Sequence, residues 1–520
     1  MAGFTVLGGG ISGLSTAWYL AQRLPRTATI TVIEGSDRLG GWVRTEQRTA
    51  GGAAVLAEKG PRTLRTGTSR EALAVLELID DLDLRDSVVT AARTSAAARN
   101  RFIYYDGELN RMPTGIASLI GGLPPAARCL ASGVWRDLTT RSTHDGSSTD
   151  ESIHSFVGRR FGAAVDDNLA SAVMRGIYAA DTRDLSARAL LFPFWLADRT
   201  GSTGVLRGLA RVAKLSRARN AVHAQRDLAE RLSHAERRKR NPEFWDGVDA
   251  ASMYSFGDGM QTLADALTTA LRAFPNVRVL TGSPVVALRT KEDYAEVALA
   301  NGQTVRAHHV ISALPAPRLA PLLGTADPSE SLESMTYASV AVVNMAYAAR
   351  NVTPVDGFGY LVPRASATQS GTLGVVFDSR ALPPQDRGAD VERLTVMLGL
   401  PSGTNATVAT AEEAALQTVR EHLRISQAPA DMDATIATHC IPTYTVGYVD
   451  RLADIHSWVS RQLSGRLSVV GAAYGGPAVP QCVLHARDLV HRHLRLDDNT
   501  ALEAPQNVTG LEEIVRGFDL

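Results

Sequence analysis

Three glycines and an acid stand at the front of the chain. FTVLGGGISGL sets Gly8, Gly10 and Gly13 in Gly-x-Gly-x-x-Gly spacing, and Glu34 follows about 20 residues later. Residues of these types do phosphate and ribose chemistry. Gly8 permits a tight turn, Gly10 lets the backbone approach a pyrophosphate, and Gly13 lets a helix pack close to a strand. The helix start offers unpaired N–H groups and a partial positive charge to the phosphates, and Glu34 can accept hydrogen bonds from both ribose hydroxyls. The glycines alone also fit a generic strand–helix turn. A second candidate lies in NRFIYYDGELNRMPTG, where Arg101 heads an apolar strand that turns at Asp106-Gly107. As a strand-end charge it reaches water; as a fixed cation it faces a pocket. Both readings stand on this stretch alone.

The elements that must position these residues are legible around them. Residues 4–7 and 30–33 read as apolar strands. Between them Ile11, Leu14, Trp18 and Ala21 recur at helical spacing until Pro25. Strand, turn, helix, strand and acid in that order point to a dinucleotide. EGSDRLGGWVRTE then places Arg38, Gly40 and Gly41 directly after the acid. Near the C-terminus, RLSVVGAAYGGPAVPQCVLHARDLVHRHL again reads as strand, glycine turn and helix. In the middle, NVRVLTGSPVVAL offers a strand before Val285, a hairpin turns at Asn301-Gly302, and HHVISALPAP returns as a further strand.

Bulk properties narrow the class. A chain of 520 residues is too long for one ordinary core. At 45% hydrophobic and 21% charged it is globular, and with 54 basic against 54 acidic residues it has no net field to attract nucleic acid. Cys129, Cys440 and Cys482 stand apart, so neither a disulfide framework nor a metal site is indicated. Histidines are scattered, with His308-His309 reading as a strand edge, and no Ser/His/Asp set or carboxylate pair demands an acid–base role. No cleavable leader is visible, and no apolar run reaches the 18 or so residues that a spanning helix needs. Residues 113–135 come nearest and read either as a helix lying on a membrane or as a core helix pair. Residues 138–152 and 214–241 read as polar surface insertions, the second with a solvated helix.

LGGGISGLSTAWYL, DRLGGWVRT, EKGPRTLR, NRFIYY with MPTG, RGIYAAD, SVAVVNMAY, GFGYLVP, TVMLG, CIPTYTVGY and VGAAYGGPAV occur in that order. As a set this resembles the protoporphyrinogen IX oxidase family, the amine-oxidase-like FAD enzymes of the penultimate step of haem synthesis. The resemblance implies an α/β fold like that of amine oxidases and p-hydroxybenzoate hydroxylase. It has a discontinuous Rossmann-like FAD-binding domain (1–91, 253–315, 440–496), a mixed-sheet substrate domain (92–110, 209–252, 316–439) and a helical membrane-binding segment (111–208). A mobile polar tail, residues 497–520, is expected to follow.

One non-covalent FAD per subunit is implied, held at the front by Gly8, Gly9, Gly10, Ile11, Ser12 and Gly13 and by Glu34 and Gly35. Arg38, Gly40, Gly41 and Trp42 belong to the second glycine motif. Gly60, Pro61, Arg62 and Thr63, then Val285, Ala472, Pro477, Ala478 and Val479 complete the implied contacts. The implied substrate pocket is Arg101, Gly176, Phe358, Gly359, Leu361 and Met397, with Arg101 pairing a propionate of the substrate. No side chain is assigned to proton transfer. Oxygen as acceptor, a homodimer, monotopic association with the intermembrane-space face of the mitochondrial inner membrane and hand-over of product to ferrochelatase belong to the same expectation. The chain departs from the family pattern at Ala180, usually glycine, and at Pro477 and Pro480. The rival readings are a related amine oxidase or carotenoid desaturase, and a flavin-free binding protein of this fold such as the Rab-escort relatives.

Overall fold

In the computed structural model the described residues are 3–112, 125–140, 149–199, 204–222, 224–291, 293–324, 330–366, 371–401, 403–493 and 508–518. The first sheet is wholly parallel. Its central strand Gly3–Leu7 lies between Thr29–Ile33 and His309–Ser312, and Val277–Leu280 and Leu467–Val469 form the edges. Helices cover both faces, so a continuous apolar run such as GFTVL is buried at every position. The helix Ile11–Arg23 buries Leu14, Trp18 and Leu20 against Leu263, Val483 and Ala486 on one face. It stops before Pro25, which disfavours helical geometry in the residue preceding it. On the other face Leu319, Tyr448, Leu452 and Trp458 form a separate core.

A second sheet has seven strands. In spatial order they are Asp431–Pro442, Tyr337–Tyr347, Glu392–Leu400, Thr372–Val376, Gly359–Leu361, Phe102–Tyr105 and Glu108–Arg111. Only the junction of Gly359–Leu361 with Phe102–Tyr105 is parallel. Alternation sorts the side chains by face. Phe102, Tyr360, Val375, Val396 and Val343 share one core with the helix Val408–Leu423. Their neighbours in sequence point the other way, toward the helix Ser171–Tyr178. The expected hairpin turn is made by Asp106 and Gly107 with φ of 54° and 77°, values that a two-residue turn of the I′ kind requires.

The helices Pro125–Thr139, Ile153–Phe161, Ser171–Tyr178, Phe192–Arg199 and Val205–Val222 gather around Phe156, Trp195 and Val205. Of the run 113–135, residues 113–124 lie outside the described residues, as do 141–148 of the first insertion. The second insertion is helical, within Val205–Val222 and Ala224–Arg240. No helix among the described residues is long and apolar enough to cross a membrane.

Two expectations change. Within the expected mobile tail, residues 508–518 dock. Leu511 is fully buried, the Val469 N–H donates to the Thr509 carbonyl at 2.8 Å, and Phe518 meets Phe192 edge-on with ring centroids 5.3 Å apart. The cause is apolar: Leu511, Ile514, Val515 and Phe518 extend the core formed by Trp458 and its neighbours. His309, expected at a strand edge, sits instead inside the parallel sheet with no exposed surface, its Nε2 2.7 Å from Ser468 Oγ. Leu467–Val469 supplies the outer strand that covers it.

Candidate functional site

The front of the chain builds a cradle. Gly8 turns with φ of 98°, and a Cβ at Gly13 would stand 1.9 Å from the Gly8 carbonyl oxygen, so only glycine lets this helix approach. Gly10 caps the helix Ile11–Arg23 without any side-chain hydrogen bond, which leaves the N–H groups of Ile11, Ser12 and Gly13 for an anion. The Gly9 N–H donates to Glu34 Oε2 at 2.7 Å, and the Ser36 N–H and hydroxyl both donate to Oε1 at 2.8 Å. These bonds orient the carboxylate at the end of its strand.

The second glycine motif closes over the first. The Gly40 N–H donates to the Gly9 carbonyl at 2.8 Å, and a Cβ at Gly41 would stand 3.0 Å from Gly10 Cα. Arg38 donates to the carbonyls of Leu39 and Gly41, so its guanidinium fastens its own turn. Ser283 donates from its N–H to the Glu34 carbonyl at 2.9 Å, and Gly35 faces Pro284; Val285 follows. Gly60 crosses the Trp42 backbone, where a Cβ would be 2.2 Å from the carbonyl oxygen, and Pro61, Arg62 and Thr63 continue from there. The Trp42 indole is left half exposed.

The C-terminal turn meets this cradle. Gly471 faces Ser12, with an added Cβ 3.5 Å from the hydroxyl oxygen. Tyr444 and Tyr448 donate their hydroxyls to the carbonyls of Ala472 at 2.5 Å and Ala473 at 2.9 Å, which fixes the turn. The two unusual prolines are accommodated without strain. Pro480 occupies the first turn of the helix Val479–Asp488, where a missing N–H costs nothing, and Pro477 precedes the cap residue Ala478. At the other departure, Ala179 rather than Ala180 takes the left-handed conformation that ends Ser171–Tyr178.

Beside the cradle lies a buried polar network in which Glu58 and Arg62 come from the EKGPRT stretch and the other members from separate segments. Arg62 is 6% exposed. Its Nη1 donates to Asp378 at 3.1 Å, while Nε and Nη2 are buried without a partner. Thr395 donates to the same aspartate at 2.7 Å, and the Asn344 amide donates to the Glu58 carbonyl at 3.0 Å. The Glu58 carboxylate accepts from the Met260 N–H and the Thr45 hydroxyl, each at 2.8 Å. Burial nevertheless pushes its pKa up to about 7. Glu58 lies two residues before Gly60 in EKGPRT, so its position was readable; Asn344, Asp378 and Thr395 come from separate segments. An uncapped helix start, a glycine cradle, a carboxylate just after the second strand and two orphaned guanidinium donors fit a flavin dinucleotide. Cys440 and Cys482 do not resemble attachment points, since burial pushes both thiols up to about 11.

Three of the six pocket candidates, Gly359, Leu361 and Met397, share one face of the seven-stranded sheet. Leu361, Gly374 and Met397 stand in register across three strands, and Gly359 lies two residues from Leu361 on the same side. Gly359 has φ of 144°, and a Cβ there would be 2.1 Å from the Val375 carbonyl oxygen. Gly176, on Ser171–Tyr178, touches Leu361, whose Cδ2 would be 2.4 Å from an added Cβ. Phe358 donates its N–H to the Asn100 carbonyl at 3.1 Å, and the half-buried Arg101 guanidinium lies 5.7 Å from the Phe358 ring centre. Apolar side chains thus lie near one half-buried cation. Among the described residues, His154, Asp166 and Asp167 form the grouping with metal-like spacing, but Arg364 reaches both carboxylates and already compensates their charge.

The profile of the flavin-containing amine oxidoreductases matches residues 11–464. The chain is 33% identical over 502 residues to the protoporphyrinogen oxidase of Schizosaccharomyces pombe, covering 94% of this chain and 97% of that one. To the human protoporphyrinogen oxidase it is 32% identical over 504 residues, covering 95% and 99%. An Exiguobacterium structure provisionally described as a protoporphyrinogen oxidase superposes with a TM-score of 0.71 at 20% identity, covering 94% of this chain and 98% of that one, which bears on the fold.

Proposed function

This chain belongs to the flavin-containing amine oxidoreductases and, among them, to the protoporphyrinogen oxidase family, and from that membership we propose its reaction. It oxidises protoporphyrinogen IX to protoporphyrin IX, removing six electrons and six protons in three two-electron steps while three O2 become three H2O2. The flavin, read here as non-covalent FAD, supplies the electron acceptance and the reoxidation by oxygen when bound. The protein's residues do the holding. Glu34 receives the ribose hydroxyls, the free N–H groups of Ile11 to Gly13 receive the phosphates, and Arg62 offers two donors to a polar edge.

The substrate is an apolar macrocycle with two propionates. Leu361, Phe358 and Met397 provide apolar walls, Gly176 and Gly359 let the helix and the neighbouring strand pack close beside them, and Arg101 pairs with a carboxylate through parallel N–H donors. The observation that carries this reading is Arg101 itself, a half-buried cation over the Phe358 ring with no acid among its neighbours in the described residues. The helical region from Pro125 exposes Leu130, Trp135, Ile177 and Phe194, which supports the proposed monotopic association with a membrane. Placement on the mitochondrial inner membrane, a homodimer and delivery of product to ferrochelatase complete the proposal.

Anaerobic mixing with protoporphyrinogen IX, followed by oxygen, tests it. Bleaching of the flavin bands and then porphyrin fluorescence is expected. An unbleached flavin overturns the substrate. Arg101→Ala run beside it should lose on the order of 2–5 kcal/mol of substrate binding if the pair is desolvated, against about 0–1 kcal/mol for an exposed strand-end charge.

A further inference from the structure

Arg101 does not stand alone. Arg65 is the exposed second residue of the short strand Leu64–Arg65, which pairs with Ala251–Phe256 so that Arg65 is opposite Met253. Met253 is buried in the same small apolar cluster that Phe358 packs against, together with Ala381 and Leu382. Phe358 is also the ring over which the Arg101 guanidinium lies. Arg101 thus lies over Phe358, and Arg65 stands opposite Met253 of the cluster that Phe358 packs against, the two arginines coming from segments of different sheets.

The charge of Arg65 also reaches Arg101. Burial and the charge of Arg65 both lower the pKa of Arg101, and no carboxylate among the described residues acts to raise it. Arg65 itself makes no ion pair or hydrogen bond among the described residues. Other partly buried arginines have partners: Arg48 pairs with Asp431 and Arg364 with Asp166 and Asp167, while Arg38, Arg175 and Arg451 donate to backbone carbonyls. A half-buried Arg101 with a like charge nearby and no acid is suited to receive an anion, and a dianion could engage both arginines.

We infer that Arg65 is a second carboxylate anchor, holding one carboxylate of a dicarboxylate substrate while Arg101 holds the other across the Phe358 ring. The inference rests on the proposed function for the identity of that dianion. It adds that the pocket recognises the two carboxylates together, which sets the end-to-end orientation of the macrocycle. Arg65 is exposed, so it acts at the mouth of the pocket, and its contribution is to binding and not to the chemical steps.

The test is steady-state kinetics of wild type, Arg65→Ala and Arg65→Lys on protoporphyrinogen IX and on its dimethyl ester, with melting temperatures as a folding control. For the diacid, Arg65→Ala should raise KM about three- to tenfold with kcat nearly unchanged, and Arg65→Lys should recover part of this. For the diester, which has no carboxylate to pair, KM should move by less than about twofold. Equal changes for diacid and diester, or none for either, overturn the anchor while leaving the proposed reaction standing. A wild-type protein that oxidises neither compound overturns the reaction, and the anchor falls with it.

Discussion

Replacing Glu58 by glutamine should abolish a loss of stability that the wild-type protein suffers as pH rises from about 5 to 8. Glu58 is 4% exposed, and its pKa is displaced from 4.5 to about 7, chiefly by burial. The native state thus holds the proton more tightly than the unfolded chain does. Below pH 4.5 both states are protonated and nothing is lost. Between 4.5 and about 7 the unfolded chain releases its proton first, and above that range the native state is penalised by about 3 kcal/mol. Glutamine imitates the protonated acid: its oxygen can accept from the Met260 N–H, and its amide can donate to the Thr45 hydroxyl that now donates to the carboxylate. For a chain of this length 3 kcal/mol corresponds to about 3 °C in melting temperature. Melting curves of the wild type and Glu58→Gln should therefore agree near pH 5 and separate by about 3 °C at pH 8, the variant melting higher. Parallel curves across the range would mean that the two hydrogen bonds and the Arg62 charge keep the buried carboxylate ionised, and the argument from burial would fail.

Other expectations follow from the same geometry. Gly359→Ala forces a side chain into a left-handed backbone against the Val375 carbonyl and should lose more than about 3 kcal/mol, seen as a lowered melting temperature or loss of soluble protein. His309 has its pKa lowered to about 3 by burial and by Arg466. Its contribution is complete above about pH 6.5 and is lost as pH falls toward 3, so His309→Phe should melt with less acid sensitivity between pH 6.5 and 4. Leu511→Ala should cost about 2–4 kcal/mol in chemical unfolding, because the residue is fully buried; an unaffected variant would mean that the docked C-terminal segment adds nothing to the core.

Much of the site was legible because its rules are local. The glycines at 8, 10 and 13 are dictated by backbone sterics within a dozen residues, and the Asp106-Gly107 hairpin by the twist of the two strands it joins. The front helix and the strand ending in Glu34 followed from periodicity alone. The C-terminal segment was misread because the 497–507 stretch is polar, while the Leu511, Ile514, Val515 and Phe518 pattern that docks it is short.

By itself, then, the amino-acid order determined that a dinucleotide-type turn opens the chain, that a cation heads an apolar strand, and that strand and helix periods alternate as an α/β protein requires. Tertiary structure decided which of those residues come together. Burial and Coulomb interactions depend on distance in space, and the partners here are far apart in the chain: Gly471 against Ser12, Asp378 under Arg62, Arg65 beside Arg101. What surrounds Arg101 had no local answer. It depended on which strands lie side by side, which set its guanidinium over the Phe358 ring with no acid beside it among the described residues.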